Sequence, residues 1–232
     1  MKFPVPFHII PIRFTNCYMI KGSQYLLIDT GPPGSTSEFI KRLKRLHIAP
    51  SEIKWIFITH GHWDHAGSLE EIRSLTGARV MIHISEKEWV EKGLIKIPSG
   101  MDPAGHVMHF LMKIFAPLIR MPGSKIHLAL EDPVYPLDHL GIPGKIVHTP
   151  GHTNGSMSLI LETGDAFVGD LAMNGFPQLR KNGIPVVGDD LQEVKNSWEI
   201  LIDQGAKMVY PAHGTPFSIA VLEKNLRDTG FA

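Results

Sequence analysis

The sequence predicts a single α+β domain built in layers, on three observations. Strand-length apolar runs alternate with amphipathic helical stretches, the pattern of packed layers. Glycine turns join some of these runs as hairpins, which argues against a purely parallel sheet. No Ser/Gly-rich linker and no internal repeat interrupts the 232 residues, so residues 1–232 are read as one domain.

The first element is a hairpin. Residues 17–20 and 25–28 are apolar, β-prone runs, and "KGSQ" turns the chain between them. The second run ends at Asp29-Thr30-Gly31, where glycine and the two following prolines stop the strand. Residues 37–47 have helical spacing, with Phe39, Ile40, Leu43 and Leu46 on one side and basic residues opposite. "KWIFIT" is a strand that runs into His60. Residues 66–75 then read as a helix, "ARVMIH" as a strand, and residues 85–92 as a helix capped by Ser85. "KIVHTPGH", "SMSLILE" and "DAFVGD" are three further strands, with His148 an ordinary strand histidine. Asp189 and Asp190 read as the cap of a helix over 190–204, with Val194, Trp198, Leu201 and Ile202 on its apolar side. "KMVYPAHG" is the last strand and residues 218–226 the last helix.

Residues 93–125 stand apart as an apolar helical insertion with four methionines and two phenylalanines. Between 104 and 121 only His106, His109, Lys113, Pro117 and Arg120 break the apolar run. Four roles fit: a lid whose methionines shape a pocket for an apolar acyl chain, a homodimer contact, shallow membrane contact, or packing on the chain's own core.

Composition narrows the function. Hydrophobic residues make up 43% and charged residues 20%, ordinary for a globular protein with a sizeable core. Lys+Arg and Asp+Glu both total 23, and this zero net charge gives no support for a nucleic-acid partner. The single cysteine, Cys17, excludes an intramolecular disulfide, fits a reducing compartment and reads as a buried strand residue. The N-terminal segment is broken by prolines and has no secretory h-region, and no run is apolar enough for stable membrane insertion. The expected location is cytoplasmic.

The informative stretch is "ITHGHWDHAGS". It places His60, His62, Asp64 and His65 within six positions, with Gly61 read as the bend that lets His60 and His62 face one space. Imidazole and carboxylate suit zinc, manganese and iron. Four candidate ligands in one loop exceed what one tetrahedral ion takes from a loop, so two adjacent ions are the natural solution. Further ligands are sought at strand ends, where layered α/β folds place them. His152 in "TPGHTNGS", Asp170 closing "AFVGD" and His213 in "YPAHG" all qualify.

These motifs, in this order, resemble the metallo-β-lactamase superfamily over about residues 15 to 217. The resemblance implies a four-layer αββα sandwich with the metals at one edge. It implies His60, His62 and His152 on a first divalent ion, Asp64, His65 and His213 on a second, and Asp170 between the two. Asp29 in "IDTG" would support the site without binding metal. Zinc is the expected ion, with manganese or iron as alternatives. Two ions about 3.5–4 Å apart can share a bridging water and lower its pKa enough to supply hydroxide near neutral pH. Asp64 would both coordinate metal and accept a hydrogen bond from that nucleophile.

The substrate is expected to be a small molecule with an ester, lactone, thioester or similar bond; a phosphodiester is a weaker fit. Asp170 stands where the best-known zinc β-lactamases have cysteine, and no tyrosine follows it within ten residues as in acyl-homoserine lactonases. The basic C-terminal region of glyoxalase II and the flavin domain of flavodiiron proteins are not seen, and His62 replaces the latter's glutamate. The alternative reaction is a sulfur dioxygenase with one iron acting on a persulfide. Arg180 and Lys181 read as a solvated loop.

Overall fold

The computed structural model describes residues 5–175 and 183–228. Two six-stranded mixed sheets face each other. The first holds β1 (Phe7–Ile12), β2 (Thr15–Lys21), β3 (Tyr25–Ile28), β4 (Ile53–Phe57), β5 (Arg79–His83) and β6 (Leu128–Leu130) in sequential order. The second holds β7 (Val134–Pro136), β8 (Gly144–His148), β9 (Met157–Leu161), β10 (Asp165–Gly169), β11 (Met208–Pro211) and β12 (Phe217–Ser218), also in sequential order. In the first sheet β3 through β6 pair in parallel, and in the second only β10 and β11 do.

Side chains alternate across each strand, so each sheet feeds two cores. Cys17, Met19, Leu27, Ile56, Val80 and Ile82 pack outward against helices α1 (Thr36–Leu46) and α3 (Leu69–Thr76), which contribute Phe39, Leu43, Leu69 and Ile72. Their strand neighbours Tyr18, Ile20, Leu26, Ile28, Phe57 and Met81 point the other way and meet Ile146, Leu159 and Phe167 of the second sheet. Val147, Ile160, Val168 and Val209 leave that sheet's far face and pack against Val194, Trp198 and Leu201 of α6 (Leu191–Asp203) and Leu222 of α7 (Ala220–Arg227). Three cores between four layers make an αββα sandwich. Each fully buried large apolar side chain contributes about 1.5–3 kcal/mol, so the alternation itself supplies much of the drive to form the layers.

Several elements differ from the sequence reading. Prolines hide β1, yet it sits at the edge of its sheet, paired only with β2, where a missing N–H costs no ladder bond. The stretch 66–75 is not one helix. A four-residue turn of helix, α2 (Trp63–Ala66), is separated from α3 at Gly67 and Ser68. A Cβ on Gly67 would lie 2.1 Å from the Trp63 carbonyl oxygen and 2.3 Å from Pro33, so only glycine allows this close approach. Helix α4 (Ile84–Glu91) is capped by the His83 side chain, which accepts the Ser85 N–H, and not by Ser85. Within the insertion, α5 (Pro103–Phe115) and a short 3₁₀ turn (Ala116–Leu118) are helical. Asp190 does cap α6, accepting the Glu193 N–H at 3.0 Å. His148 ends β8 and stacks on His83 at 4.2 Å. Cys17 is buried. Arg180 and Lys181 lie outside the described residues.

Candidate metal centre

Every candidate ligand follows the C-terminal end of a strand. His60 and His62 lie between β4 and α2, and α2 itself carries Asp64 and His65. His152 lies in the loop after β8, Asp170 directly after β10, and His213 two residues after β11. β10 and β11 are parallel, and β8 shares their direction because each is antiparallel to β9. The three loops of the second sheet therefore open on the same edge and meet the β4 loop of the first.

There the side chains form overlapping groups. His60, His62 and His152 make one group; Asp64, His65 and His213 make another; His60, His65 and Asp170 make a third, with ligand atoms in each group within 4.8 Å of one another. His62 Nδ1 is 3.0 Å from His152 Nε2. Asp170 straddles the groups: Oδ1 is 3.3 Å from His65 Nε2 and 3.4 Å from His213 Nε2, while Oδ2 is 3.6 Å from His152 Nε2. Asp64 Oδ2 is 3.3 Å from His213 Nε2.

Outer contacts fix which ring nitrogen faces the centre. The Nδ1 atoms of His152 and His213 donate to the carbonyls of Val187 (2.9 Å) and Phe14 (3.0 Å), which turns each Nε2 inward. His65 Nδ1 meets Asp29 Oδ2 at 2.9 Å. Asp29 also accepts the Thr59 N–H on Oδ1 and the Thr59 hydroxyl on Oδ2, each at 2.8 Å. The Thr59 oxygen in turn lies 3.2 Å from His60 Nδ1. Asp29 adopts a left-handed φ of 58°, and these contacts lock in a conformation that aspartate tolerates better than most residues.

Gly61 serves a different purpose from the bend expected of it. It is not among the positive-φ residues, but a Cβ there would lie 2.6 Å from Val90 of α4. Its N–H donates to Glu86 Oε2 at 2.5 Å, and Glu86 Oε1 accepts the Thr153 hydroxyl at 2.7 Å. Glu86 thus joins the His60–His62 loop to the His152 loop. Sequence reasoning missed Glu86, because nothing near it in the chain marks it as different from any helix-surface glutamate.

The electrostatics divide the groups. Burial, with neighbouring histidines, pushes His60 well below the ordinary histidine range and His62 down to about 3; burial also lowers His152. All three rings are neutral at pH 7, the form that binds metal. Burial also works against charging His65 and His213, but the carboxylates outweigh it. Asp170, Asp29 and Asp64 raise His65 well above its usual value, and Asp170 and Asp64 raise His213 to about 10. Burial raises Asp64 and Asp170, and His65 and His213 reverse this, so both carboxyls stay ionised. The two anions hold protons on their histidines as they would hold a cation.

The donor set fits divalent metal. His60 Nε2 is buried and lacks a hydrogen-bond partner, a costly arrangement without a cation to satisfy it. All donors are nitrogen or oxygen, and Cys17 lies instead in the core beneath α1.

The sequence profile described as the metallo-beta-lactamase superfamily matches residues 10–213. The chain belongs to the metallo-beta-lactamase superfamily. Its relatives include a probable metallo-hydrolase of Methanocaldococcus jannaschii, 30% identical over 86% of this chain and 87% of that protein. A beta-lactamase-like protein 2 homolog of Caenorhabditis elegans is 29% identical over 95% of this chain and 61% of that one. An atrochrysone carboxyl ACP thioesterase of Aspergillus chevalieri is 27% identical over 88% of this chain and 52% of its own length. The chain therefore spans about three-fifths or less of the last two. A metallo-beta-lactamase family protein of Thermus thermophilus shares the fold with a TM-score of 0.68 at 22% identity, over 95% of this chain and 78% of that one. Superfamily membership and the metallo-hydrolase relatives support a metal-dependent hydrolase.

In this superfamily member the insertion borders the site. A cleft of about 420 Å³ is lined both by residues of α5 and by Asp64, Asp170 and His213 of the centre. Among the described residues, no helix is long and apolar enough to cross a membrane.

Proposed function

We propose that the chain hydrolyses an ester, lactone or thioester bond of a small molecule with two divalent ions, zinc being the best match to the donors. His60, His62 and His152 would hold one ion and Asp64, His65 and His213 the other, with Asp170 between them. The observation that carries this reading is Asp170, whose two oxygens face the two groups separately. Divalent ions there would supply a water of lowered pKa and Lewis-acid polarisation of a carbonyl.

The chain's own residues do the rest. The carbonyls of Val187 and Phe14 orient His152 and His213, and Asp29 orients His65. Asp64 lines the cleft and is ionised, so it can accept a hydrogen bond from the attacking water and fix its direction. Buried walls around the centre keep bulk water from competing for these contacts.

The test is turnover by the zinc-loaded full chain of a panel of carboxylic esters, lactones and thioesters. Hydrolysis that falls about a thousandfold in Asp170→Asn supports the proposal, since the metals are asked to supply several kcal/mol. No turnover of any bond class with zinc or manganese would overturn it, as would oxygen uptake with a persulfide on a single iron.

A further inference from the structure

We infer that the cleft under α5 is an acyl-chain site, which takes a straight apolar chain with the scissile carbonyl held beside Asp64, Asp170 and His213. The inference rests on the hydrolase reading for its chemistry but on separate residues for its specificity.

One wall is a single face of α5. Ala104, Val107, Met108, Leu111 and Met112 line the cleft, spaced as neighbours on one helical stripe. An apolar stripe of this kind usually packs into a core. Here it does not: Gly105 is the one buried residue of α5, and Val107 and Leu111 are 60% and 47% exposed. The other apolar lining comes from Phe14, Trp63, Met173 and Val187, with the Trp63 indole N–H its one polar side-chain group. The remaining described lining residues, Asp64, Asp170 and His213, all belong to the metal centre.

This distribution specifies the occupant. A sugar, phosphate or peptide lying along the cleft would leave its polar groups unpaired against apolar walls. A hydrocarbon chain loses nothing there and gains by area, and two flexible methionines of α5 with Met173 can adapt to its shape. A second copy of the chain could cover the outer face of α5, but it would not explain why the same cleft is also lined by Asp64 and Asp170. A substrate chain attached to a reactive carbonyl explains both kinds of lining. In the reaction, water adds its oxygen to the carbonyl carbon and the bond to the alcohol oxygen or thiol sulfur breaks. The leaving group takes a proton, the acid keeps the chain, and no oxidant is needed.

The experiment uses the zinc-loaded full chain and 4-nitrophenyl esters from acetyl to decanoyl, with Leu111→Glu and Ala104→Phe as variants at exposed positions that can change without disturbing the core. In parallel, 1-decanol is titrated into the metal-free chain and followed by tryptophan emission, with Trp63→Phe assigning the signal. We expect kcat/KM to rise about two- to fourfold per added methylene until the cleft is full. Both variants should lower the decanoyl-to-acetyl ratio by about tenfold or more, and Leu111→Glu should abolish the decanol response. A flat chain-length profile without decanol binding would overturn the acyl site while acetyl turnover left the hydrolase reading standing. Leu111-dependent decanol binding without turnover of any ester would do the reverse. Absence of both would overturn both.

Discussion

The Gly61 N–H donates to the buried Glu86 carboxylate, and the same carboxylate holds the Thr153 hydroxyl. A glutamate that binds no metal thereby sets the distance between the loops carrying His62 and His152. Glu86→Gln places an amide donor among three existing donors, Thr153, Gly61 and Gly155. We expect affinity for the first ion to fall about 10–100-fold, the usual cost of disturbing an outer contact. Equilibrium dialysis against zinc measures it; unchanged affinity would mean that the loops hold their spacing without Glu86.

Asp29 should act on the other ion. In Asp29→Asn, His65 loses its charged partner and the Thr59 contacts are weakened. Affinity for the second ion should drop by about 10–100-fold, and the first should lose less, through Thr59 and His60. A chelator competition that resolves the two ions checks this, and equal losses at both would argue against the assignment.

Metal binding should release protons unequally. His62, with a pKa near 3, and its lowered partners His60 and His152 have no proton to lose at pH 7. His213, raised to about 10, and His65 do. Affinity of the second ion should therefore rise with pH between 6 and 8, by about tenfold per unit for each proton released. Calorimetry in buffers of different ionisation enthalpy counts those protons, and in His213→Ala, which should lose the second ion, the release tied to that ion should disappear.

A pH effect on stability should arise away from the metal. Burial and the stacked His148 lower His83 to about 4. The fold disfavours the charged form, so the stability is present above the unfolded pKa of about 6.5. It is lost as pH falls through 4, by about 2 kcal/mol once the shift is reduced for the ring's partial contact with solvent. Urea melts at pH 7 and 4.5 should show this loss in the wild type and a smaller one in His83→Phe.

Much of the architecture is visible in local pattern. Apolar runs of strand length and the stripes of α1 and α6 suffice for the layers, and the ligands stand out because each sits beside turn residues just past such a run. What stays hidden depends on partners distant in sequence. Pro11 looks like a breaker until β1 proves to be an edge. Gly61 looks like a bend until Val90 packs on it. The carbonyls of Phe14 and Val187 have no side-chain signature at all. The insertion's composition points to a pocket or an interface, but only the cleft beside Asp64 relates it to the site.

The most direct test of the two-ion centre is elemental analysis of the purified full chain beside His65→Ala and His213→Ala. The account predicts about two zinc or manganese ions per chain, falling to about one in each variant while the His60, His62 and His152 group keeps its ion. A single iron, unchanged in both variants, would contradict it.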